Sequence, residues 1–308
     1  MGRIVVGVDG SRDSEAALFW AAEEARLRGD TLAILYAVHT PVTAVPFGGT
    51  AVLPPTEELK SYGANLLDVA ATMVRRGAAD AGTDADAEPD DVQVTTELVV
   101  QPPVMALLAA AKEADLVVLG SRGLGTVGSA FLGSVSTRVA SRADCPTIVV
   151  PVEHAEYRRG GSVVVGVDGD ESDAAFRFAV AEAERRGTTV EVVHTYWLPM
   201  VAMPIEGANI TGTSATYGHE TAEERLQAFM DRNQHVVPDT VTVKTQVVLG
   251  DAAEVLGRMS EDAALVVVGS RGRGPLRGML LGSVSQRLLH RVHGPVAVVH
   301  DVADPDTP

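Results

Sequence analysis

Gly120-Ser121-Arg122-Gly123, nine residues, then Gly133-Ser134-Val135-Ser136 returns later in the chain as Gly269-Ser270-Arg271-Gly272, nine residues, then Gly282-Ser283-Val284-Ser285. Laid over each other without a gap, 120–150 and 269–299 are identical at 15 of 31 positions, so one unit occurs twice. Each copy follows a short apolar run, 115–119 or 264–268, and leads into a helical pattern that closes at Cys145-Pro146 or Gly294-Pro295. The order is strand, glycine-rich loop, helix, strand. Glycines at a strand end remove Cβ atoms where a phosphate chain would approach the backbone, and the later Gly-Ser supplies free N–H groups and a hydroxyl. A plain structural turn is the other reading of such a loop. Its repetition with unchanged spacing favours an anion cradle.

Working outward, Gly7-Val8-Asp9-Gly10 returns as Gly166-Val167-Asp168-Gly169. The copies stand 159 residues apart there but 149 apart at Gly120 and Gly269, so the second unit is shorter in its middle. In the first unit the pattern predicts strands over 3–8, 31–38, 92–100, 115–119 and 147–150, with helices between them. The second repeats this over 162–167, 189–195, 241–248, 264–268 and 296–300. Continuous Val, Ile and Leu runs joined by helices indicate α/β units, each a parallel sheet covered on both faces. The segments 40–55 and 197–218, rich in Pro and Gly, are expected to be long loops, and 77–91 a solvated acidic loop. The expected boundaries are 1–152 for the first domain, 153–161 for a linker, 162–302 for the second domain and 303–308 for a tail.

The 308 residues suffice for two cores. A net charge of -16, with Lys60, Lys112 and Lys244 the only lysines, argues against nucleic acid or an anionic membrane surface as partner. The lone Cys145 excludes a disulfide within the chain and fits a reducing compartment. No apolar run approaches the ~18 residues of a membrane span, and Met1 enters a strand directly, so a cytoplasmic location is expected. Cys145 itself reads as a small buried residue before a strand rather than a redox sensor.

Several rival motifs fail on context. Gly123-Leu124-Gly125-Thr126-Val127-Gly128 has dinucleotide-fingerprint spacing, but it follows the fourth strand and its copy breaks the spacing. His290 and His293 are spaced for one helix face, yet the first unit has Ser141 and Asp144 there, and a helix C-terminus accounts for them. No lysine lies beside either loop, so a Walker-type clamp is excluded. No metal site and no catalytic set is read from the sequence.

Glycine-rich loop, following Gly-Ser, preceding strand and the Asp after the first strand together resemble the ATP-binding subset of universal stress proteins, in their tandem two-domain form. The resemblance implies that each domain is an open five-stranded parallel sheet of order 3-2-1-4-5, adenine nucleotide alpha hydrolase-like, with ligands at the carboxyl ends where the winding reverses. It implies one ATP site per domain, Mg2+ joining through the phosphates. In the first domain the residues are Gly7, Asp9, Ser11, Ala37, Gly120, Arg122, Gly123, Gly133, Ser134, Val135 and Ser136. In the second they are Gly166, Asp168, Thr195, Gly269, Arg271, Gly272, Gly282, Ser283, Val284 and Ser285. Asp9 and Asp168 suit ribose hydroxyls, or else cap the next helix. Gln101-Pro102-Pro103, where the second unit has Gly250-Asp251, would crowd the first site, and Asp170 in the place of Ser11 would repel phosphate in the second. The function implied is a nucleotide-responsive regulator of stress or growth state, with little or slow hydrolysis, acting as a homodimer on an unidentified protein partner. An ATP-using enzyme of related fold and a scaffold without nucleotide are the alternatives.

Overall fold

The computed structural model describes residues 1–39, 42–45, 49–52, 56–81, 92–123, 132–152, 161–197, 210–270, 281–291 and 293–300, with the backbone alone for 42–45, 49–52, 78–81 and 210–217. The chain divides into two compact units, Met1–Tyr157 and Arg158–Pro308.

Unit 1 runs β1 (Arg3–Gly7), α1 (Arg12–Arg28), β2 (Thr31–Ala37), β3 (Val42–Val45), β4 (Gly49–Val52), α2 (Glu57–Ala81), β5 (Val94–Val99), α3 (Pro103–Ala111), β6 (Leu116–Gly120), α4 (Ser134–Ala140) and β7 (Thr147–Val150). Its sheet has the order β5-β2-β1-β6-β7, all neighbours parallel. That is the 3-2-1-4-5 order once the β3–β4 pair is set aside. The central strands are apolar on both faces beyond Arg3, which opens β1: Ile4, Val5, Val6, Leu116, Val117 and Val118 are all fully buried, as expected where helices cover both sides. Helices α1 and α2 pack on one face, α3 and α4 on the other.

Local chemistry sets the ends of α1. Ser11 caps its N-terminus by accepting the Ser14 amide, acids Asp13 and Glu15 lie in its first turn and arginines Arg26 and Arg28 in its last, and Gly29 closes it at φ 67°. The buried face is largely alanine, Ala16, Ala17, Ala21, Ala22 and Ala25, which brings the helix close to the sheet.

Unit 2 repeats the design with β8 (Val163–Gly166), a 3₁₀ turn (Asp170–Ser172), α5 (Asp173–Arg186), β9 (Val190–Tyr196), α6 (Ile210–Asn233), β10 (Val243–Leu249), α7 (Ala252–Met259), β11 (Leu265–Gly269), α8 (Ser283–Leu289) and β12 (Val296–Val299). Its order is β10-β9-β8-β11-β12, again parallel. Phe176 of α5 meets Phe229 of α6 edge to face, 5.4 Å between ring centres.

Three segments read as loops contain structure. Within 40–55, β3 and β4 pair antiparallel, which the β-branched residues Val42, Thr43, Val45, Thr50 and Val52 favour. Helix α2 continues through Gly77 to Ala81, because Ala78, Ala79 and Ala81 are strong helix formers and outweigh one glycine; 82–91 lies outside the described residues. Within 197–218, α6 begins at Ile210, ahead of its docked stretch Ala222, Leu226 and Phe229. Thr211, Gly212, Thr213 and Ser214 give no such signal, since packing elsewhere in a helix overrides weak propensity.

Candidate functional site

The carboxyl ends of β1 and β6 lie side by side, and the residues beyond them are tied together. After β1, the Asp9 carboxylate accepts the Ser11 amide at 2.9 Å, and the Asp9 amide donates to Ser14 Oγ at 3.3 Å. The cap on α1 is therefore Ser11, not Asp9, and Asp9 stays in the turn. After β6, Gly120 lies against the backbone of α1: a Cβ there would come within 2.5 Å of the Asp13 carbonyl carbon. Ser121 Oγ donates to Asp13 Oδ1 at 2.6 Å, and Arg122 Nε donates to the same oxygen at 3.3 Å. A Cβ on Gly123 would come within 2.5 Å of Asp9 Oδ2. The start of α4 is sewn to the same strand end, with the Gly133 amide donating to Ser121 O at 2.7 Å and Ser136 Oγ to Gly120 O at 2.6 Å.

These elements enclose a cavity of about 520 Å3, within the range of small-molecule sites. One end is apolar, lined by Leu35, Ala37, Pro103, Leu107, Leu119 and Val135; all but Pro103 belong to or pack on the core between the sheet and α3 and α4. The other end carries Asp9, Ser14, Arg122, Gly123, Gly133, Ser134 and Ser136. Gly7 allows the close packing beneath, since a Cβ on it would meet Leu119 at 2.7 Å and Leu107 at 3.1 Å.

Of the residues singled out in unit 1, Gly7, Asp9, Ala37, Gly120, Arg122, Gly123, Gly133, Ser134, Val135 and Ser136 all line this one cavity, and Ser11 does not. The Ser11 side chain accepts the Ser14 amide and donates to Arg122 O at 3.5 Å. Sequence reasoning missed Val8, Ser14, Leu35, Tyr36, Leu107, Leu119 and Leu132, and of Gln101, Pro102 and Pro103, expected to crowd the site, only Pro103 lines it. The signal that could have found the apolar members is strand alternation: Leu35 and Ala37 share one face of β2. Pro103 forms part of the wall. Tyr36 rests against Tyr62, ring centres 6.3 Å apart, and burial, then Tyr62 and Asp9, push its phenol above the ordinary range.

In unit 2, Gly166 ends β8, Thr195 lies in β9, Gly269 ends β11, and Gly282, Ser283 and Val284 open α8. The stitching is the same: the Gly282 amide donates to Ser270 O at 2.7 Å and Ser285 Oγ to Gly269 O at 2.9 Å. Arg271 and Gly272 lie outside the described residues. The Asp168 amide donates to Ser172 Oγ at 2.9 Å, as Asp9 does to Ser14. Ser172 thus matches Ser14, and the turn between is one residue shorter. Asp170 does not take the place of Ser11; its carboxylate pairs with Arg232 at 2.9 Å, and Arg232 also reaches Asp173 at 3.0 Å. Asp251 caps α7 by accepting the Glu254 amide and pairs with Arg287 at 2.7 Å. Burial pushes its carboxyl up, but the bonds from Arg287 and the Glu254 amide prevail and hold it below the usual range.

His290 stands at the C-terminal cap of α8, and the His293 amide donates to Ser260 Oγ at 3.0 Å. Among the described residues no three His, Cys, Asp or Glu side chains gather as a metal site, and no helix is long and apolar enough to cross a membrane.

Comparison with known proteins agrees with this geometry over nearly the whole chain. The model of the universal stress protein family matches residues 1–151 and again 161–300. A universal stress protein of Mycobacterium tuberculosis is 36% identical over 301 residues, 96% of this chain and 96% of that protein. One from Mycolicibacterium smegmatis is 34% identical over 300 residues, with 96% of each covered. In fold, the crystal structure of a universal stress protein from Archaeoglobus fulgidus covers 97% of this chain and 98% of that one, with a TM-score of 0.59 at 18% identity. The chain belongs to the universal stress protein family, in tandem form, with one family domain in each unit.

Proposed function

We propose that the chain binds ATP, one molecule in each unit, and serves as a nucleotide-responsive regulator of stress or growth state rather than as an efficient enzyme. The observation that carries the reading is the unit 1 cavity, which joins an apolar lining that includes Ala37 and Leu107 to a glycine-rich polar lining at Gly123 and Gly133, with Asp9 against Gly123. An adenine ring suits the slot. A carboxylate accepts ribose hydroxyls, and backbone amides beside Cβ-free glycines admit a phosphate chain. Gly7, Asp9, Ala37, Gly120, Arg122, Gly123, Gly133, Ser134 and Val135 would hold the nucleotide, while Ser136 keeps the cradle in shape through Gly120 O. Mg2+ would accompany the phosphates and offset their charge.

Binding with little or slow turnover is part of the same reading, and is supported by what the polar end offers among the described residues: backbone amides, serine hydroxyls, one carboxylate suited to ribose and a guanidinium paired with Asp13. The reading extends to a cytoplasmic location, a homodimer and a protein partner that senses the occupied state, in keeping with a net charge of -16. Thermal denaturation with and without ligand tests it. ATP with Mg2+ at about 100 times its Kd raises the unfolding free energy by about 2.7 kcal/mol, and inorganic triphosphate, which cannot fill the slot, gives a smaller shift. No shift with ATP and Mg2+ on nucleotide-free protein would contradict the reading.

A further inference from the structure

We propose that the two units are unequal nucleotide sites, and that the buried Asp13 makes unit 1 the tighter. This rests on the ATP reading and goes on to rank the sites. Asp13 is 9% exposed. Its Oδ1 accepts Ser121 Oγ at 2.6 Å and Arg122 Nε at 3.3 Å, while Ser11 Oγ donates to Arg122 O at 3.5 Å. Both residues between Gly120 and Gly123 are thereby fixed to the start of α1 by the protein's own side chains. A loop already held in place loses less conformational freedom when ligand arrives.

Unit 2 cannot build this lock in the same way. Between Gly10 and Ser14 stand Ser11, Arg12 and Asp13, whereas between Gly169 and Ser172 stand only Asp170 and Glu171. The ends of the two turns correspond, because Asp9 and Asp168 each donate their amide to the serine. The missing residue comes out of the segment that holds Asp13. Asp170 is turned to Arg232, and Glu171 is exposed, so neither takes the buried place that Asp13 occupies in unit 1. Charge acts in the same direction. In unit 1 the Asp13 charge is matched by Arg122, and in unit 2 that of Asp170 by Arg232, whereas Glu171 adds an exposed carboxylate to the unit 2 turn, where it opposes a polyphosphate.

Equilibrium dialysis of the full chain, freed of nucleotide, against ATP with Mg2+ tests the ranking. The expected result is two classes of site about tenfold or more apart in Kd, the size set by ordering two side chains on binding. Gly123→Ala removes the tight class, and Gly272→Ala removes the weak one. Asp13→Ala shifts the tight class toward the weak class and leaves the weak class unchanged, which a general loss of folding would not do. Asp13→Asn, which keeps an acceptor for Ser121, retains part of the affinity. Should Asp13→Ala fail to fold, the two glycine variants decide the ranking. Two equal sites, loss of the tight class in Gly272→Ala, or a tight class unmoved in a folded Asp13→Ala would overturn the proposal while ATP binding stood. Absence of ATP binding in the unaltered chain would remove the ATP reading itself, and the ranking with it.

Discussion

Asp9 Oδ2 occupies the space that a side chain on Gly123 would need: a Cβ there would come within 2.5 Å of it. The carboxylate after β1 and the glycine after β6 can share the head of the cavity only because one of them has no side chain. Gly123→Ala therefore displaces Asp9 as well as narrowing the polar end. ATP affinity is expected to fall about tenfold or more, about 1.4 kcal/mol. Because residue 123 lies outside the core, the melting temperature of the nucleotide-free protein should move by no more than a few degrees. Titration calorimetry beside thermal denaturation checks both halves.

Gly63 makes a prediction against helix propensity. It lies inside α2, where alanine is ordinarily better by about 1 kcal/mol. Yet a Cβ there would come within 2.7 Å of Leu98 Cδ1 and of Tyr36 Cδ1 and Cε1. Overpacking costs about 1–3 kcal/mol, so Gly63→Ala should lower stability in a denaturant titration. Because Tyr36 lines the cavity, ATP affinity should fall as well.

Glu182 of α5 is fully buried and paired with Arg186, whose side chain is 2% exposed; Glu24 and Arg28 form the matching pair in α1 at 2.5 Å. Removing one partner strands a buried charge. Glu182→Ala is expected to cost about 3–5 kcal/mol, and the double change Glu182→Met with Arg186→Met to recover much of it. Denaturant unfolding of the single and double variants measures this.

The Asp251–Arg287 pair predicts a pH dependence. The folded carboxyl titrates below its unfolded value, so its stabilising contribution is complete above the unfolded value of about 3.9 and disappears as pH falls through the folded one. The gap in melting temperature between the unaltered chain and Asp251→Asn should therefore be widest near neutrality and close in acid. A gap that widened as pH fell would contradict the assignment.

Burial, then Asp115 and Asp144, push the Cys145 thiol up to about 12. The native protein should resist iodoacetamide at pH 8 and react fully once unfolded, because the thiolate is the reacting form. Mass spectrometry of the two samples reads this directly.

The strands and most of the polar lining of the unit 1 cavity were legible because strand periodicity and a duplicated loop are local signals, whereas the sheet order came from the resemblance to the family. The polar lining residues Asp9, Gly120, Gly123, Gly133 and Ser134 all lie in stretches repeated in the second unit. Tyr36, Leu107 and Leu119 were not legible as lining residues, since nothing local distinguishes a core side chain from one that also borders a cavity. The role of Ser11 was missed for a related reason: a hydroxyl near an expected ligand and a hydroxyl capping α1 have the same sequence signature. The one-residue shortening before Ser172 was hidden as well, because Asp168-Gly169 aligns on one side of it and Ala174-Ala175 on the other. Only the paired hydrogen bonds of Ser14 and Ser172 reveal it. In α6, weak helix formers at Thr211 to Ser214 concealed a helix that docks further along.

The most direct test of nucleotide binding is the content of the protein as it leaves the cell. The chain is purified without added ATP, denatured, and its released adenine nucleotides are identified and counted per chain, beside Gly123→Ala. The account predicts near-stoichiometric ATP, sharply reduced in the variant. Protein that carries no adenine nucleotide, and that ATP with Mg2+ fails to stabilise, would contradict it.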